Sequence, residues 1–62
     1  MLTVIETLIY KRHKIDKAES HLQTFFIVDD KLEAAYWSVA DAKRAVNGQP
    51  LKYEAVDIRH LQ

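Results

Sequence analysis

Few side chains in this 62-residue sequence could do chemistry: three histidines, two serines, one basic run and one acidic turn. A nucleophile needs a base within hydrogen-bond reach. Ser20 and His21 are neighbours in sequence, and adjacent side chains reach that geometry only across a sharp backbone bend. Ser38 is better explained as a helix cap. His13, His21 and His60 do not share the i, i+4 spacing by which a helix presents two metal ligands. The acidic group Asp29, Asp30 and Glu33 lacks the ligand number and spacing of a calcium loop. A single glycine cannot build a phosphate-cradling loop. These readings exclude the common catalytic constellations, and they call for no catalytic residue, metal or cofactor.

Two features could instead bind a partner. The first is the run KRHKIDK, whose Lys11, Arg12, Lys14 and Lys17 place four of the nine cations within seven residues. It could grip phosphates, as in a small nucleic-acid-associated regulator. The ordinary alternative is a solvated hairpin end, where like charges discourage edge pairing. No aromatic stacking platform or recognition-helix pattern accompanies the charges, which favours the hairpin end. The second feature is the run FFIV at Phe25–Val28. In a strand it places apolar groups on both faces of a sheet.

Composition sets the frame for both. Nine basic and nine acidic residues balance, so no global charge draws the chain to nucleic acid or an anionic membrane. There is no cysteine, which excludes disulfides and thiolate zinc sites. A domain of this size buries roughly 60% of the surface its unfolded chain exposes, so its stability is marginal and a partner subunit is one remedy. No stretch is long and apolar enough for a membrane helix. The segment MLTVIETLIYKRHK is apolar and then basic, the reverse of a secretory leader, and the expectation is a cytoplasmic protein.

The elements follow from periodicity and punctuation. TVIETLIY, residues 3–10, favours a strand by its β-branched and aromatic content. A helix is the rival, because Leu2, Ile5 and Ile9 also fit helical spacing. As a strand it turns Ile5, Thr7 and Ile9 one way and Val4, Glu6, Leu8 and Tyr10 the other. Residues 11–23 are polar and are expected to form a long exposed hairpin connection, with Asp16 and Glu19 spaced as a capping box. Residues 23–28 form the second strand, and Asp29-Asp30-Lys31 a turn. Residues 34–37 are a short third strand or an extended lead into a helix. Ser38 caps that helix, Val39, Ala42 and Val46 make its apolar stripe, and Asn47-Gly48 followed by Pro50 ends it. Residues 51–61 fit a strand or a short helix. A strand lying beside the first is the preferred topology.

This helix is short, about 12 Å, and can cover one face of the sheet. The expected arrangement leaves a second face uncovered, with Phe26, Val28, Tyr36 and Trp37 as partner-binding candidates, and so predicts a homodimer or another protein partner; the alternative is that Trp37, Tyr53 and the long hairpin fold back over that face. Trp37 is also read as a core anchor that staples the helix start, which leaves Tyr36 the more exposed of the pair.

The succession TFFIVDD, YWSVADAKRAVNG, LKYEAVDIR is similar in layout to small phage- or prophage-encoded accessory proteins of bacteria. In those proteins an aromatic strand runs into a Ser-capped helix and then a last strand. Some bind and inhibit host enzymes such as RNA polymerase. The resemblance covers most of the chain, rests on no diagnostic motif and carries over no site residue. It implies a non-enzymatic binding protein. The expectation is thus a single small α+β domain over residues 1–62: an antiparallel sheet with one helix on one face, acting in protein–protein interaction.

Overall fold

The computed structural model describes residues 1–61. Four strands form one antiparallel sheet in chain order: β1 Thr3–Tyr10, β2 His13–Ser20, β3 Gln23–Val28 and β4 Ala35–Tyr36. One helix follows, α1 Val39–Val46, and a 3₁₀ turn spans Arg59–Leu61. This is the small α+β architecture expected, with one addition. Residues 13–20 are not an exposed connection but a full strand, and Asp16 and Glu19 cap no helix there.

The reason lies in the turns. Tyr10 and His13 are joined by two residues, Lys11 and Arg12, and Ser20 and Gln23 by His21 and Leu22. All four linking residues have positive φ, between 49° and 67°. That is the sign pattern of a type I′ turn, whose twist matches the flanking strands. Asn and Gly normally supply it, whereas Lys-Arg and His-Leu carry side chains that strain at positive φ. Leu22 is fully exposed and gains no packing in exchange. Leu22→Gly is therefore expected to stabilise the fold by about 0.5–1 kcal/mol, after subtracting the added entropy of the unfolded glycine. Urea unfolding measures it; a midpoint at or below that of the parent counts against strain at this turn.

Register decides the faces. Directly opposed residues of an antiparallel pair share a face. On one face lie Lys14, Asp16, Ala18 and Ser20 of β2 with Phe25 and Ile27 of β3 and Ala35 of β4. On the other lie His13, Ile15, Lys17 and Glu19 with Phe26, Val28 and Tyr36. α1 packs on this second face: Val39 shares a groove with Ile15 and Phe26, and Ala45 and Val46 share one with Val28 and Tyr36. Ser38 caps α1 as expected, its Oγ accepting from the Asp41 amide at 3.1 Å, and Gly48 takes the left-handed stop at φ 68°.

The first face is closed by the chain itself, contrary to expectation. Ala18, Phe25, Ile27 and Ala35 form a core with Ile58 of the tail, and Val56, Leu61, Leu2 and Leu32 pack around it. Val56 makes a single antiparallel bridge to Ala35, and Ile58 N–H donates to the Leu32 carbonyl. The tail thus lies at the β4 edge, not beside β1, and is neither a strand nor a helix apart from its last turn. It is long enough, and apolar at spaced positions, to serve as a second lid. Across β2–β4, therefore, no bare second face is left to require a partner.

β1 is also corrected. A bulge between Val4 and Glu6 shifts the register, so Val4 joins Thr7 and Ile9 on the tail face. Trp37 and Tyr36 exchange their expected roles. Tyr36 is half-buried under α1, while Trp37 remains 39% exposed with its ring 5.2 Å from that of Phe25.

Candidate interaction edge and the basic hairpin

The four partner-binding candidates do not form one surface. Phe26, Val28 and Tyr36 lie beneath the helix, and Trp37 leans towards the tail. Trp37, Phe25, Ile58 and Leu61 line a shallow hollow of about 200 Å³ there.

The basic candidates are likewise dispersed. Lys11 and Arg12 occupy the first turn, while Lys14 and Lys17 point to opposite faces of β2. Lys14 Nζ lies 2.7 Å from Asp30 and 3.4 Å from Asp16, and the Asp30 contact chiefly holds its pKa above the ordinary lysine value. Lys17 faces Glu6 at 3.9 Å. The Lys11–Lys17 run is therefore partly neutralised by acids that the fold brings to it.

Two polar clusters arise only in three dimensions. At one end of the sheet, Asn47 Nδ2 donates to the Tyr10 hydroxyl at 3.0 Å, and Lys11 Nζ donates to Asn47 Oδ1. Lys43 and Lys11 stand 5.0 and 5.5 Å from the centre of the Tyr10 ring. The Asn47 hydrogen bond, helped by the two ammonium groups, holds the Tyr10 phenol below its ordinary value. In the second cluster, His13 Nδ1 lies 2.6 Å from Asp29 Oδ2, and Asp29 Oδ1 accepts from the Lys14 amide. These two contacts, the histidine first, depress the Asp29 pKa.

A carboxylate on Nδ1 orients an imidazole as in acid–base sites. The adjoining groove, however, is lined by Val28, Lys31, Ala34, Tyr36, Ala45 and Val46, none of which supplies a hydroxyl or thiol nucleophile of the serine, threonine or cysteine kind. Ser20 Oγ is buried without a hydrogen-bond partner among the described residues, so Ser20 and His21 form no nucleophile–base pair. No group of three or more metal-ligating side chains converges among the described residues.

What stands open is β1. Among the described residues it is an edge strand of eight residues, bonded to β2 on one side alone, and Thr3–Ile9 are all exposed. Val4, Ile5, Leu8 and Ile9 expose 52, 47, 39 and 70% of their surface. An edge strand offers a row of backbone N–H and C=O groups to any further strand, and proteins ordinarily blunt such edges with charge, proline or bulges. Here Glu6 and the Val4/Glu6 bulge are the devices present on the strand. Sequence reasoning placed Val4, Ile5, Leu8 and Ile9 in a strand but could not tell that the strand would be at an edge.

The chain matches no family model, no curated protein and no solved structure with which it was compared. Fold and site together define a class: a small α+β domain with one open, apolar sheet edge. Among the described residues no helix is long and apolar enough to cross a membrane.

Proposed function

We propose that this chain is a non-enzymatic protein–protein interaction module that self-associates by adding a strand to the β1 edge. The exposure of β1 on both faces carries this reading. The rest of the sheet is sealed by α1 and the tail, whereas Val4, Ile5, Leu8 and Ile9 stay in water beside unpaired backbone. Strand addition satisfies the backbone groups and buries the side chains in one step. A domain of this size is short of core, and a homodimer supplies the missing burial. The aromatic strand that leads into a Ser-capped helix, the part of the layout of small phage- or prophage-encoded accessory proteins that this fold keeps, favours a role as such a factor; the last strand of that layout is absent among the described residues. The dispersal of Lys11, Arg12, Lys14 and Lys17, two of them paired with acids, weighs against nucleic acid as the partner.

Sedimentation across concentration tests the reading. The parent chain is expected to be dimeric at micromolar concentration, and Ile9→Lys to weaken association at least tenfold while leaving the far-UV spectrum intact. A parent that stays monomeric to millimolar concentration defeats it.

A further inference from the structure

Resting on the self-association just proposed, the geometry points to a two-fold β1–β1 pairing centred on Leu8, which sets Glu6 of each copy against Tyr10, Lys11 and Lys43 of the other. A two-fold axis perpendicular to the sheet keeps each face on its own side. Opposed residues must then be of like face, so the axis passes through a residue rather than between two. The stretch free of the bulge is Glu6–Tyr10, where successive residues oppose Lys17, Asp16, Ile15, Lys14 and His13 of β2 without a shift. Leu8 is its midpoint.

Centring on Leu8 pairs Leu8 with Leu8, Thr7 with Ile9 and Glu6 with Tyr10, and uses the whole regular stretch. The neighbouring registers are worse. Centring on Glu6 opposes two carboxylates, which destabilises a cross-strand pair. A centre at Thr7 sets Glu6 against Leu8 and runs the pairing into the bulge. Centring on Ile9 leaves three regular pairs.

Charge also selects the Leu8 register. Glu6 is exposed, and its one ion pair among the described residues is a long contact to Lys17 at 3.9 Å. Tyr10 carries a phenol already bonded to Asn47, with Lys11 and Lys43 against its ring. Opposed residues in an antiparallel pair lie about 4.5–5.5 Å apart at Cα. The carboxylate of one copy thus arrives at the cationic cluster of the other, twice by symmetry. On the same face each Leu8 borders a groove of about 240 Å³ with Ile15, Phe26 and Val39, and the pairing joins the two grooves across the axis.

The chain has no cysteine, so introduced cysteines report pairing without background. Leu8→Cys is expected to form a disulfide-linked dimer on mild oxidation, the opposed Cα separation lying within the disulfide range. Thr7→Cys and Ile9→Cys are expected to cross-link when mixed and far less when oxidised alone. Glu6→Lys is expected to weaken dimerisation about tenfold, and Glu6→Lys with Lys43→Glu to recover most of the loss. Cross-linking through Thr7→Cys alone, in a protein that still sediments as a dimer, overturns the Leu8 register and leaves self-association standing. A monomeric sedimentation profile overturns both. Circular dichroism of each variant separates loss of pairing from loss of fold.

Discussion

Ile58→Ala is expected to lower the thermal unfolding midpoint by roughly 15 °C. Ile58 is 2% exposed and closes the core formed by Ala18, Phe25, Ile27 and Ala35. Truncating a buried isoleucine costs about 2–5 kcal/mol, because the lost burial is joined by a cavity that the surroundings only partly fill. In a domain of this size each kcal/mol shifts the midpoint by about 4–8 °C. Total stability at roughly 0.05–0.15 kcal/mol per residue is itself small, so this one change removes a large share. Ile9→Ala on β1 is the internal contrast. It deletes the same atoms from a residue that is 70% exposed, and at low protein concentration it should move the midpoint by about 2–4 °C or less. A scanning circular dichroism melt compares the two. Equal small shifts would mean that the tail does not act as the second lid.

Asp41→Asn is expected to lower the midpoint by on the order of 10 °C at neutral pH, with the difference shrinking in acid. Asp41 sits in the first turn of α1 with no solvent exposure. Its Oδ1 accepts from Arg44 at 2.6 Å and from the Lys52 amide at 2.9 Å, and its Oδ2 accepts from the Tyr53 amide at 3.0 Å. The carboxylate therefore ties the start of the tail to the helix, upstream of Ile58. An asparagine turns one acceptor into a donor facing a donor and leaves a buried group unsatisfied, which costs more than a hydrogen bond contributes net.

The same contacts set the pH dependence. The Lys52 amide, then the Tyr53 amide and Arg44, hold the Asp41 carboxyl below its ordinary value against the opposing effect of burial. A group lowered on folding stabilises the native state fully above its unfolded pKa, about 3.9, and loses that contribution as pH falls towards the folded value. Asp29 is lowered in the same direction, and Asp57 to about 2, chiefly by Arg59. Parent stability should thus be flat from neutral pH to about 5 and decline below about 4. The gap between parent and Asp41→Asn should narrow over that acidic range. A gap unchanged down to pH 3 would show that the Asp41 charge is not what holds the tail.

The legible parts of this fold are those whose signals are local. Ser38 and Gly48 mark the ends of α1 because a hydroxyl can accept an unpaired first-turn amide and a glycine can take positive φ without strain. Phe25–Val28 is recognisable as a strand by composition. β2 was not, for two reasons. Its turns contain none of the residues that usually mark type I′ geometry, and its inward positions include a charge. Asp16 is buried at 5% exposure, which is tolerable because the Thr7 hydroxyl donates to it at 2.5 Å and Lys14 stands near. Neither partner can be inferred without the register between β1 and β2.

The candidate site divides in the same way. That β1 carries apolar side chains on both faces could be read directly, as could the balance of charge and the lack of cysteine. Its position at the edge could not, nor the bulge that moves Val4 to the other face, nor the tail that seals the sheet behind Phe25 and Ile27. Local preference is settled within a few neighbouring residues, and so chain order alone determined the helix, its caps and most strands. Which strand lacks a neighbour, and which apolar face already has a cover, depends on contacts between residues far apart in sequence. Ile58 against Ala18 and Asp41 against Tyr53 are such contacts, and tertiary packing decided them because burial is shared among all the elements at once.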